Sequence, residues 1–207
     1  MKVRLGSAAA AAGISGSLSF LLLAASLGSD YWYIIEVNPA MNMSELNSHS
    51  GLWSIHEGTP RLSCTCWVGT CTPVGPTHSE HANNCAAMHR TIVVLLPLSL
   101  VLLLLGGICG LVSSLAQSRA LLTATASFFF ICSLFTLSGV SLYMVYSYRA
   151  LAETEKLEGT EGLAYIRTSF GWSLALAWLS FGLELLTGAL LLAAARLAEL
   201  QHVTAAY

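Results

Sequence analysis

The chain has 207 residues, 55% of them hydrophobic and only 10% charged, with a mean hydropathy of +0.68. Soluble domains carry about 25% charge, so too few charges remain here to coat a water-facing surface. The net charge of −2 and the lack of any basic run exclude a nucleic-acid binder and leave lipid as the main solvent.

The first long apolar run covers residues 6–29 and follows Lys2 and Arg4. Such a start, with Ser26-Leu27-Gly28 at its end, also fits a cleaved signal peptide, but the run is long for one. On either reading the segment after it is delivered outside. That segment, residues 30–90, has strand character. YWYIIEV at 31–37 is aromatic and β-branched, and GLWSI at 51–55 and CWV at 66–68 are shorter strand candidates. Gly58-Thr59-Pro60 and the stretch 72–76 are turn signals. Asn42-Met43-Ser44 is an N-glycosylation acceptor, which makes Asn42 a candidate modification site.

A second apolar run covers 91–116, with Pro97 inside it as a predicted kink. Gly106 and Gly110 give it a Gly-x-x-x-Gly spacing for close helix packing. Only Gln117-Ser118-Arg119 separates it from the third run, 120–147, so the two form an antiparallel hairpin. A second outer loop over 148–169 carries Glu153, Glu155, Glu158 and Glu161, and the fourth run covers 170–195. Each run approaches or exceeds the roughly 20 residues needed to cross a bilayer, where unpaired backbone polar groups force a helix. Lys2, Arg4, Arg119 and Arg196 alternate correctly for the cytosolic side, which puts both termini in the cytosol and the loops 30–90 and 148–169 outside.

Glu184 is the one charge deep inside a run. A charge there costs roughly 2.5–3.5 kcal/mol, so it is expected to face the bundle interior. One role would be a proton or ion path. The other is a structural hydrogen bond to a neighbour such as Thr136, Ser138 or Ser141, and the lack of a second acid or a partner base favours it.

Cys64, Cys66, Cys71 and Cys85 lie in the large loop, while Cys109 and Cys132 lie within helices and are expected as buried thiols. An oxidising compartment and an even count favour disulfides, and four cysteines allow three pairings. His78, His81, Cys85 and His89 with the upstream cysteines could also ligate zinc, but no paired Cys-x-x-Cys spacing supports a metal site. Nor is there a Gly-x-Ser-x-Gly elbow, and Asp30 is the only Asp. The chain is read as a non-enzyme with no cofactor, no metal and no small-molecule substrate. The fold expected is a mainly α membrane protein: a left-handed four-helix transmembrane bundle with a small extracellular antiparallel β-sheet from the outer loops, as one domain over 1–207.

Trp32, Gly51-Leu52-Trp53, the loop cysteines and Arg90 ahead of the second run, set among four spans, resemble the claudin superfamily of claudins, peripheral myelin and epithelial membrane proteins and calcium-channel gamma-like subunits. DYWYI at 30–34, SSLAQS at 113–118, SFGWSLALAW at 169–178 and ELLTG at 184–188 look most like its transmembrane protein 114 and transmembrane protein 235 branch. The resemblance implies a loop disulfide whose first cysteine lies three residues after Trp53, where this chain has His56. Cys71, followed by Thr72-Pro73, matches the second. The residues 59–68 look like extra sequence, and Cys64 is the partner chosen for Cys71, with Cys66 and Cys85 as alternatives. The resemblance further implies a plasma-membrane protein acting in cell contact through its first outer loop, or as an auxiliary subunit of a channel or glutamate receptor. Its partners would then be lipid and other membrane proteins, itself included. The tail Thr204-Ala205-Ala206-Tyr207 lacks the aliphatic end by which many relatives bind PDZ domains.

Overall fold

The structure, a computed structural model, describes residues 2–37, 48–53, 55–56, 66–67, 70–71, 79–116, 118–163 and 166–205. Four helices dominate: α1 (Lys2–Gly28), α2 (Ser79–Ala116), α3 (Arg119–Leu163) and α4 (Trp172–Ala205). Each contains a stretch long and apolar enough to cross a membrane, the shortest being Gly6–Gly28 and the others 30 or 31 residues. At 1.5 Å per residue the longer ones reach about 45 Å, which exceeds the ~30 Å hydrocarbon core of a bilayer. The helices outrun the apolar runs because hydropathy marks the part that meets lipid, not the part that coils. Thus α3 continues to Leu163 through most of the connection expected at 148–169, in a polar segment rich in the helix formers Ala, Glu, Leu and Lys. Likewise α2 begins at Ser79, well before the run at 91, and continues through Pro97.

The strands are β1 (Tyr33–Val37), β2 (Ser48–Ser50), β3 (Ile55–His56), β4 (Cys66–Trp67), β5 (Thr70–Cys71) and β6 (Ile166–Phe170). A four-stranded sheet runs in the order β3-β2-β1-β6, and β4 and β5 form a separate two-stranded hairpin. All pairings are antiparallel. The longest ladder joins β1 to β6, from Tyr33 opposite Phe170 to Val37 opposite Ile166. The segment 51–55 is not a strand throughout: Gly51, Leu52 and Trp53 connect β2 to β3 and only Ile55 joins the sheet.

The chain divides into two compact units. One gathers residues 1–24, 96–137 and 177–207, the other residues 25–95 and 138–176. The first mixes large apolar residues such as Leu23, Leu103, Leu122 and Phe129 with small and hydroxyl-bearing ones in its core. Ala12, Ser15, Ser19, Ser99, Thr136, Ser180 and Thr187 are buried, while Ile14, Leu18, Leu104, Ile108, Leu134 and Leu179 face outward. Lipid tails compete with leucine for the outside, so small and hydrogen-bonding residues form the helix contacts. Three consecutive phenylalanines of α3 fit against glycines on the other helices. A Cβ placed on Gly106 of α2 would sit 3.1 Å from the Phe128 ring, one on Gly188 of α4 would sit 3.0 Å from Phe130, and one on Gly16 of α1 would sit 3.6 Å from Phe129. Gly110 is less tight, with Thr125 at 3.8 Å. Arg119 and Glu199 close an ion pair at 2.6 Å in the same unit. Cys132 is buried, whereas Cys109 is exposed, contrary to the expectation for both: it lies on the apolar outer face beside Ile108.

Candidate functional site

In the second unit the motif residues gather where α1 ends. The last carbonyls of a helix have no partner within it and need one from elsewhere. Here two indoles supply it. Trp32 Nε1 donates to the Ser26 carbonyl at 2.9 Å, and Trp53 Nε1 donates to the Leu27 carbonyl at 2.8 Å. Trp32 is fully buried, with its ring 4.8 Å from that of Tyr143, while Trp53 remains 38% exposed. Leu52 is also fully buried, and the His89 ring hydrogen-bonds its backbone carbonyl while packing 5.6 Å from Tyr146. Gly51 has to be a glycine, because a Cβ there would lie 2.8 Å from the Asp30 Cα.

The same node receives the start of α4. The Ser26 hydroxyl donates to the Ser173 carbonyl at 2.7 Å, Gly171 N–H donates to the Trp32 carbonyl at 2.9 Å, and Ser173 N–H donates to the Tyr31 carbonyl at 3.3 Å. The tryptophan motif is therefore a joint. It ties the exit of α1, the entry to β1, the β2–β3 connection and the N-terminus of α4 into one hydrogen-bonded set. Arg90 is exposed on α2 beside the buried His89. Tyr31, just before β1, stacks on His49 of β2 at 4.7 Å.

The first unit holds a second polar set. Thr136 Oγ1 of α3 donates to Glu184 of α4, at 3.0 Å and 3.1 Å from its two oxygens. Ser180 lies 3.3 Å from Glu184 Oε1 and 2.9 Å from the Ser19 hydroxyl of α1, and Ser99 of α2 is hydrogen-bonded to Thr136. Glu184 is fully buried. A hydroxyl has one hydrogen to give, so with Thr136 donating to Glu184 the bond from Ser99 must run toward Thr136. The ladder Ser99–Thr136–Glu184–Ser180–Ser19 thus links all four helices, and Ser15 with Thr187 adds a rung at 2.8 Å. Replacing Glu184 with Gln keeps an oxygen acceptor and is expected to cost under ~1 kcal/mol. Glu184→Ala removes the acceptor and is expected to cost about 1–3 kcal/mol, from interhelical hydrogen bonds that contribute roughly 0.6–1.7 kcal/mol each in membranes and the cavity left behind. Thermal unfolding in mild detergent reads the difference.

Other expected site residues stand elsewhere. Asn42 and Cys64 lie outside the described residues. Cys66, Cys71 and Cys85 are placed by backbone alone, in β4, β5 and α2. Sequence reading missed Ser26, His89, Gly171 and Ser180 as members of these sets. Gly171 lies within the SFGWSLALAW stretch and Ser26 at the end of the first apolar run, but neither setting marks a hydrogen-bonding role, and Ser180 has no motif of its own.

Four membrane-length helices and an antiparallel sheet locked to helix ends by two indoles define a tetraspan membrane protein. Its sequence matches, over residues 17–193, the family model described as PMP-22/EMP/MP20/Claudin tight junction. The chain belongs to that family, whose members are generally structural membrane proteins and not enzymes.

Proposed function

We propose that this protein is a non-enzymatic, multi-pass protein of the plasma membrane that acts in cell–cell contact or junction-like assembly. Both termini lie in the cytosol, and the β-sheet with its loops lies outside, the first loop stapled by a disulfide and glycosylated at Asn42. The observation that carries this reading is the capped joint. Buried Trp32 and Leu52 and the β1–β6 ladder hold the sheet on helix ends, and a sheet held in this way offers a preorganised surface to a partner. The ladder at Glu184 is satisfied by hydroxyls within the bundle, which supports a scaffold role for the spans.

The test is a mixed culture of expressing and non-expressing cells. The tagged protein is expected to concentrate where two expressing cells touch, and removal of residues 38–85 is expected to abolish the enrichment. Even distribution over the surface would refute the proposal.

A second reading, an auxiliary subunit of a channel or glutamate receptor, draws support from α3. The helix carries its acidic residues Glu153, Glu155, Glu158 and Glu161 on a continuous extension to Leu163. Such an extension suits contact with a partner's ectodomain. Co-purification with a co-expressed channel in mild detergent, lost when these four acids become Gln, distinguishes it from the first.

A further inference from the structure

We propose that the paired rings of Tyr31 and Trp172 are a lipid-docking surface, seated among the phospholipid headgroups of the leaflet on which the second unit stands. This contact goes beyond the role proposed above and holds whichever side of the membrane the sheet faces. The ends of the spans set its depth. Trp172 is the first residue of the membrane-length stretch Trp172–Gln201, and Tyr31 lies three residues past the stretch Gly6–Gly28. An apolar helix leaves the hydrocarbon at its ends, and rings with an apolar body and a polar tip collect at that boundary. The fold brings the two rings together from separate elements. Ser173 N–H donates to the Tyr31 carbonyl, and the ring centroids of Tyr31 and Trp172 are 6.5 Å apart. His49 covers one face of Tyr31, yet Tyr31 stays 44% and Trp172 52% exposed.

The polar tips need an outside acceptor. The indoles of Trp32 and Trp53 are satisfied by carbonyls at the end of α1. Among the described residues neither the Tyr31 hydroxyl nor the Trp172 N–H has such a partner. Ester carbonyls and phosphates supply acceptors at the depth where the spans end, and the hydrocarbon beneath them takes the apolar surface of the rings. The surface is also continuous with the lipid-facing side of α4, since Trp172, Ala175 and Leu179 are exposed at spacings that share one helix face. Charge agrees with this occupant. Arg149 closes the stretch Arg119–Arg149, is exposed, and has no carboxylate partner among the described residues, which suits the phosphates of a lipid surface.

The test places the full-length protein, labelled with fluorotryptophan, in phosphatidylcholine bilayer discs and records fluorine NMR. The lines of Trp172 and Trp178 are identified by their absence in Trp172→Phe and Trp178→Phe. A phospholipid with a nitroxide on its headgroup is expected to erase the Trp172 line. One with the nitroxide at the end of its acyl chain, about 15 Å deeper, is expected to spare it. Trp178 lies further along α4, about 9 Å deeper along the helix axis, and is expected to respond in the opposite order. Fluorotyrosine, with the Tyr31 line identified in Tyr31→Phe, is expected to repeat the Trp172 pattern. Loss of the Trp172 line to the chain-end label overturns the proposal by placing the ring in the hydrocarbon. Retention with both lipids overturns it as well, and a water-soluble gadolinium chelate then tells what stands in place of the headgroups. A line that the chelate erases lies in water, and one that survives is covered by a second copy or another protein.

Discussion

Gly171→Ala is expected to prevent stable folding, whereas Gly107→Ala is expected to be neutral or slightly stabilising. A Cβ at position 171 would lie 1.9 Å from the Tyr31 carbonyl oxygen and 2.6 Å from its carbon, both backbone atoms that no rotamer change can move aside. Relief requires the α1–β1 link and the start of α4 to separate by more than 1 Å, roughly, given ordinary van der Waals distances near 3.5 Å. That separation breaks the bonds from Gly171 N–H to Trp32 and from Ser173 N–H to Tyr31, at the point where the β1–β6 ladder begins. Overpacking usually costs about 1–3 kcal/mol, and this site belongs at or above the upper end because the clash is with main chain. At Gly107 nothing lies within 4 Å, and an alanine there gains helix propensity of up to about 1 kcal/mol. Detergent-solubilised protein heated in steps and analysed by size exclusion reads both variants. Equal midpoints for Gly171→Ala and the parent would show that the joint is looser than described.

Trp32→Ala is expected to cost about 3–5 kcal/mol, the range for deleting a buried aromatic ring. The ring is fully buried against Tyr143, and its N–H satisfies the Ser26 carbonyl. Trp32→Phe separates the two contributions. It keeps most of the volume and loses the hydrogen bond, for an expected cost of about 1–3 kcal/mol where the carbonyl is left without its indole. Trp53→Ala should cost less than Trp32→Ala, because over a third of that side chain is already in contact with solvent. The order Trp32→Ala, then Trp53→Ala, in surface expression and in thermal midpoint is the diagnostic; the reverse order would mean that Trp53, and not Trp32, anchors the sheet.

The spans and the central strand were legible in the sequence because lipid and pleated sheet impose simple demands. Twenty apolar residues mark a crossing, and the aromatic and β-branched run after Asp30 marks β1. What was not legible depended on contacts between distant residues. The strand β6 at Ile166–Phe170 alternates only weakly and sits beside an apolar run, so it was absorbed into the expected loop and the fourth span. The segment Gly51-Leu52-Trp53 has strand composition, yet it turns, because Leu52 and Trp53 are drawn to the end of α1. Glu184 announced itself as a costly residue, and Thr136 was within the set of neighbours weighed. Ser180, one turn earlier on the same helix, and Ser99 on α2 were not, since a lone serine in a span carries no address. The triplet Phe128-Phe129-Phe130 carries no sign of its role in the sequence, yet its rings lie against glycines on three other helices.

The rungs between Ser19 and Ser180 join residues 161 positions apart. Because a ribosome delivers α1 first and α4 last, the early helix enters the bilayer before its hydrogen-bonding partner has been synthesised. Until then its serine hydroxyls can bond only to carbonyls of their own helix, as Ser15 also does with Ala12. Completion of the last span is therefore the event that closes these rungs between the first helix and the fourth.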